Sequence, residues 1–289
     1  MATPGPRPLA LALLALVLGG CLAPAHDPHE TAGRGFPDSC LDHKAWMHVM
    51  DCVEPYYREQ ARNEGIRMAM DWTWSSMLNG SIDDCHMLAH HLGMIAFEEL
   101  GNALDTVRSG DHRCLRGYVH GVIEAAVRDL EVGRYQDPVD GPTFCEDFRN
   151  EPFDGYGGCV HGLAHGIMVR TGHDVNASLP ECDQFPTEGL HALCMDGVFM
   201  EVSLAWWDRE PAAFDALVLS SCPSLSDLSA AARANCYVRS GQGAFMFHHH
   251  DLAAAESVCA RVELPADQDS CRVGIRDEIN NLRMSREGH

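Results

Sequence analysis

Towards the C-terminus the apolar positions read as two helices with a break between them. "DLAAAESVCARV" from Asp251 places apolar residues at helical spacing behind a candidate N-cap aspartate, "ELPAD" interrupts, and "QDSCRVGIRDEINNL" resumes as a second amphipathic helix. Cys259 therefore closes one helix and Cys271 opens the next. The same order recurs upstream in "PAAFDALVLSSC", "PSLSDLS" with Pro223, and "AAARANCYVRSGQGAFMF". Around Cys182 and Cys194 the break falls at Pro186, and around Cys145 and Cys159 it is expected at Pro152 with Gly155, Gly157 and Gly158.

This grammar orders the cysteines. Five pairs, 40 and 52, 145 and 159, 182 and 194, 222 and 236, 259 and 271, have gaps of 12, 14, 12, 14 and 12 residues. Twelve residues of continuous helix span about 18 Å, whereas a disulfide needs Cα atoms within roughly 7 Å, so each pair closes only across a hairpin. "LDHKAWMHVMD" between Cys40 and Cys52 holds neither Pro nor Gly, which leaves that pair less defined. Cys85 and Cys114 each start a motif helix and would join neighbouring helices at the same end. Helices led by Cys85, Cys114, Cys159, Cys194, Cys236 and Cys271 recur every 29 to 45 residues, the period of helical-hairpin repeats. The expected fold is all-α: disulfide-stapled helical-hairpin repeats forming a solenoid or a closed α/α toroid. In architecture it resembles the Sel1-like cysteine-rich repeat proteins by analogy, without their shorter cysteine spacing or their repeat motif.

Two of these helices begin almost alike, with "CLRGYVHG" at Cys114 and "CVHGLAHG" at Cys159. At about 100° per residue, offsets 0, 3, 6 and 7 share one arc of about 120°. Cys, Gly, His and Gly therefore face inward together. Gly117 with Gly121, and Gly162 with Gly166, make small-residue seams for a neighbouring backbone. Since glycine inside a helix costs about 1 kcal/mol relative to alanine, close packing or chemistry has to compensate.

Offset 6 gives His91, His120, His165, Met200, Gln242 and Asp277 in successive helices. Histidines also stand four apart at His86/His90 and His161/His165, and Glu124 lies four after His120. Residues four apart share a helix face, so His-x-x-x-His and His-x-x-x-Glu present two metal donors from one helix. If the three helices pack side by side, His86, His90, His120, Glu124, His161 and His165 converge on one cavity, and neutral imidazole with carboxylate suits zinc, iron, manganese or copper. A structural role fits the same histidines, each donating a ring N–H to a neighbouring carbonyl. "CMDGVFMEVS" adds Asp196, Met200 and Glu201 near the corresponding face, with Glu201 as a further carboxylate ligand or a catalytic general base. The loop histidines 248 to 250 suit adventitious metal binding, and Trp72/Trp74 and Trp206/Trp207 suit core anchors. The chain has no C-x-x-C-H, H-E-x-x-H, G-x-S-x-G or P-loop motif.

Composition sets the compartment and excludes one partner class. Residues 1–20 carry Arg7 and then an apolar run from Leu9 to Leu18, too short for a bilayer span, which reads as a secretory signal. The run ends in Leu18-Gly19-Gly20-Cys21, which resembles a bacterial lipobox. An acylated Cys21 would anchor the chain to a membrane of the cell envelope, facing periplasm or exterior. Residues 21–36 then read as a tether, which includes His26 and His29, and residues 37–289 as a single helical-repeat domain. Of thirteen cysteines, setting Cys21 aside leaves an even twelve for disulfides in an oxidising compartment. A formal charge of −21 repels phosphate backbones and excludes nucleic acid as a partner.

Two functions follow. One is an envelope lipoprotein whose inward histidines bind a transition metal, extending to a metal-dependent enzyme. The alternative is a non-catalytic scaffold for an envelope protein partner. A cluster of the motif histidines favours the first, and a spread row favours the second.

Overall fold

The structure, a computed structural model, describes residues 35–41, 46–63, 65–130, 141–151, 155–204, 211–224 and 229–287. The expected signal, Cys21, most of the tether with His26 and His29, Pro152 and the Trp206/Trp207 pair lie outside them. The described residues contain helices and no strand. Seven helices form a row in which each packs on the next: α2 (Trp46–Arg62), α4 (His86–Leu100), α6 (Gly117–Leu130), α8 (Gly155–Arg170), α10 (Glu188–Leu204), α12 (Ala230–Phe247) and α14 (Pro265–Glu287). The others flank this row: α1 (Asp38–Leu41), α3 (Ile66–Leu78), α5 (Ala103–Ser109), α7 (Gly141–Glu146), α9 (Val175–Cys182), α11 (Pro211–Ser224) and α13 (Leu252–Cys259).

The hairpin grammar holds where it was sharpest. The Asp251 side chain accepts the Ala254 N–H at 3.1 Å to start α13, and Pro265 opens α14 at the one helical position where its missing N–H costs nothing. All six disulfides form across hairpins or neighbouring helix ends, with Cα–Cα distances of 5.3 to 5.9 Å. These are the five spaced pairs together with Cys85–Cys114. Cys85 and Cys114 precede α4 and α6 as expected, but α8, α10, α12 and α14 start four to six residues before their cysteines. Gly155, Gly157 and Gly158, expected in a break, form the first turn of α8, where every residue from Gly155 to Met168 is buried. Burial on all sides outweighs the poor helix propensity of glycine, as it does for any helix enclosed by its neighbours.

The apolar residues divide into two clusters. One joins Val53, Tyr57, Met70, Leu92 and Tyr118 from α2 to α6, with Phe36 edge-on to both Tyr57 and Trp72. The other runs from Ile123 through Leu163, Val198, Phe214 and Tyr237 to Ile275. Helix α6 contributes a face to each. The flanking helix α3 also reaches α14, since Trp74 Nε1–H donates to the Ser285 carbonyl at 3.1 Å.

Candidate metal centre

Glycine sets how closely the row packs. A Cβ on Gly117 would lie 2.3 Å from the His86 carbonyl oxygen, one on Gly121 1.9 Å from that of His90, and one on Gly197 2.5 Å from that of His161. On Gly162 it would meet His120 Cα at 3.1 Å. Each helix thus rests a glycine on the backbone of a histidine from the helix before it. That contact brings imidazoles of successive helices side by side.

The result is a closed ring of five imidazoles. Centroid separations run 6.4 Å from His86 to His90, 5.5 Å to His165, 4.8 Å to His161, 4.6 Å to His120 and 5.4 Å back to His86. All five residues are 7% exposed or less, and His165 is fully buried. His120, His161 and His165 bring one donor atom each within 4.8 Å of one another, and so do His90, Glu124 and His165. The candidate histidines form a cluster, not a row.

Their nitrogens are divided between support and vacancy in hydrogen bonding. His86 Nδ1 is 3.0 Å from the Cys114 carbonyl oxygen, His161 Nδ1 is 3.3 Å from Asp196 Oδ2, and His165 Nδ1 is 2.7 Å from Glu201 Oε1. On each of these rings Nε2 is buried with no hydrogen-bond partner among the described residues. His120 Nδ1 is likewise unpartnered. His90 Nε2 stands 3.0 Å from Glu124 Oε2, at ion-pair distance but out of line for a hydrogen bond. A ring held at Nδ1 by a carboxylate or carbonyl, with Nε2 bare, is the arrangement of a metal-ligating histidine with its outer-shell partner.

Electrostatics keep most of these rings neutral. Burial pushes His86 down to about 4 and His165 down to about 3, with the other histidines adding to it, and it holds His120 and His161 well below the usual imidazole range. Burial also opposes charge on His90, but Glu124 outweighs it and raises that ring. The reciprocal attraction keeps Glu124 below its ordinary value despite burial. Glu201 is pushed up to about 8 by burial and then by Glu124. At neutral pH Glu201 thus keeps its own proton. Once that proton is lost, the one proton of the neutral His165 ring sits on Nδ1 and donates to Glu201 Oε1, and the Nε2 lone pair is presented to the cavity. Neutral imidazoles with one carboxylate are what metal binding requires.

Glu201 joins the cluster through His165, with Oε2 3.8 Å from His173 Nδ1. His91 leaves the cluster and approaches Glu54 and Tyr57 on α2. Of the loop histidines, His248 Nε2 pairs with Asp215 at 2.9 Å, so that stretch closes a helix end away from the ring. Trp72 sits in the apolar core. Sequence reasoning missed Arg239, whose guanidinium is bonded to both carboxylate oxygens of Asp196 and to Gln242. It fixes the carboxylate that supports His161. Its signal was its place three residues after Cys236, where four other motif helices carry Gly117, Gly162, Gly197 and Gly274.

Comparison with protein-family models, curated proteins and solved structures finds no match to this chain.

Proposed function

We propose that this is a metal-binding protein of the cell envelope, held to a membrane through lipid on Cys21, with a transition-metal centre at the five-histidine ring. One observation carries the reading: four buried imidazoles, His86, His120, His161 and His165, each leave a nitrogen without a hydrogen-bond partner among the described residues, while His90 is paired with Glu124. A buried polar group left unpaired costs about 1–3 kcal/mol, so four in contact are a burden that a coordinated cation removes. His165 belongs to both three-donor sets. It is the shared ligand, and Glu201 is its positioning carboxylate. Zinc, iron, manganese and copper all suit the donors.

Sets of three protein donors leave coordination positions for water or a small substrate, as catalytic centres do and closed structural sites do not. The bond from Trp74 to Ser285 supports a row of helices curled into an α/α toroid around this centre. Six disulfides fit an oxidising extracellular or envelope location. Among the described residues no helix is long and apolar enough to cross a membrane.

The test is elemental analysis of untagged protein beside His165→Ala and the double variant His120→Ala/His165→Ala. A stoichiometric transition metal in the parent, lost in both variants while the helical circular dichroism is kept, is expected. A folded, metal-free parent that takes up none of the four metals on dialysis overturns the reading.

A further inference from the structure

The three helices that carry the ring run parallel and in register. Gly117 rests on the carbonyl of His86 and Gly121 on that of His90, while a Cβ on Gly162 would meet the His120 carbonyl oxygen at 3.2 Å and one on Gly166 that of Glu124 at 3.3 Å. Both sides of each contact advance by four residues. The donors therefore fall into two tiers about 6 Å apart along the helix axes. His86, His120 and His161 make the first tier, and His90, Glu124 and His165 the second.

The three-donor sets follow this layering with one exception. His90, Glu124 and His165 are a complete tier, one residue from each of α4, α6 and α8. The other set takes His120 and His161 from the first tier, but its third donor is again His165, while His86 stands outside it. Ligands on opposite sides of one ion lie at most about 4.4 Å apart, at bonds of about 2.0–2.2 Å. Among the described residues no set within 4.8 Å joins His90 and Glu124 to His120 and His161, so one ion does not take both sets. His165 thus serves two positions with one lone pair, because Glu201 stands 2.7 Å from its Nδ1 and only Nε2 is bare.

We propose that the ring holds one ion at a time, in either of two positions that compete for His165 Nε2, and that the donors select it: His120, His161 and His165 take copper, whereas His90, Glu124 and His165 take manganese. The inference rests on the metal reading above and names what that site selects. Neutral imidazole suits copper and carboxylate oxygen suits manganese. Only the second set brings a negative charge to the ion. The surroundings differ in the same sense. Asp196, itself bonded by Arg239, steadies His161 Nδ1 at 3.3 Å in the first set. In the second, Glu124 Oε2 faces His90 Nε2 at 3.0 Å, so an oxygen and a nitrogen already flank one point.

Copper(II) and manganese(II) are the probes, titrated into the metal-free full chain. Expected in the parent is one ion per chain by native mass spectrometry, with copper displacing manganese one for one and no doubly loaded species. That displacement needs no variant, so it decides the competition even where a substitution unfolds the chain. Glu124→Gln weakens manganese about tenfold or more while copper stays within about threefold, and His161→Ala does the reverse. The copper electron paramagnetic resonance spectrum carries nitrogen splitting from three imidazoles, kept in Glu124→Gln and reduced in His161→Ala. Two ions bound at once, or variants with parental helical circular dichroism that weaken both metals alike, overturn this inference and leave the metal reading standing. A parent that takes up neither ion overturns both.

Discussion

Replacing Gly121 by alanine tests whether the glycine seam builds the centre. The new Cβ would stand 1.9 Å from the His90 carbonyl oxygen and 3.0 Å from Met94 N, both backbone atoms that no side-chain rotation can move away. Ordinary contact needs at least 3.4 Å, so α4 and α6 must part locally by about 1.5 Å. Overpacking of this kind costs about 1–3 kcal/mol, and here the upper end applies because backbone must shift. Against it stands a gain of about 1 kcal/mol in helix propensity. The net loss is about 1–2 kcal/mol, or a fall in melting temperature of roughly 2–8 °C for a chain this size. Gly189 is the control: a Cβ there meets nothing within 4 Å, so Gly189→Ala gains about 0.5–1 kcal/mol. Because the shift moves His90 and Glu124 away from His165, metal affinity falls as well, by the 10- to 100-fold typical of a disturbed outer shell. Thermal melts with and without chelator, together with a metal titration, measure both effects. If Gly121→Ala is as stabilising as Gly189→Ala and binds metal as the parent does, the seam does not position the ring.

Three further outcomes are expected. Burial, with Asp84 adding to it, pushes the Glu278 carboxyl up to about 7 from an ordinary 4.5, so its contribution is complete below the ordinary value and is lost as pH rises through 7. Stability then falls by up to about 3 kcal/mol between pH 5 and pH 8, and Glu278→Gln flattens that part of a denaturant-midpoint profile. Cys85→Ser/Cys114→Ser opens a loop of 29 residues and costs about 3.5 kcal/mol by chain entropy, read as a lower urea midpoint. Asp251→Ala removes the cap on Ala254 N and costs about 1 kcal/mol, with faster amide exchange confined to the first turn of α13.

How much of this was legible depended on whether the signal was local. The breaks around Pro186 and "ELPAD" gave the hairpins, and hairpins gave five disulfides, because a Cα–Cα limit near 7 Å is unforgiving. His86/His90, His120/Glu124 and His161/His165 were legible as pairs because four residues return to one helix face. The glycine breaks ahead of Cys159 were misread because burial around α8 is a tertiary effect that local propensity does not contain. Arg239 was out of reach for a related reason: the repeat gives its face, but Asp196 lies on another helix 43 residues away. His91 shows the limit of a repeat offset. It occupies the motif position, yet its neighbour His90 is the one that stands four residues from His86 and shares its face.

The disulfides, glycines and unpartnered nitrogens belong to one physical problem. Five imidazoles that must stay neutral and close together repel any proton that enters, and burial alone would scatter them or recruit water. Collapse of the ring is opposed from outside by six covalent ties, and its spacing is set from inside by glycine against backbone, neither of which titrates. Nδ1 partners on His161 and His165 then fix two rings of one three-donor set before any ion arrives. A site assembled in this way has met its ordering cost during folding, which leaves more of the coordination energy for affinity and for holding open positions. The weak point of such a site is Arg239: Arg239→Met frees Asp196 from its guanidinium and lets His161 turn, so metal affinity falls while the His90, Glu124 and His165 set keeps a residual site. A titration in which Arg239→Met binds metal as tightly as the parent would remove preorganisation from the explanation.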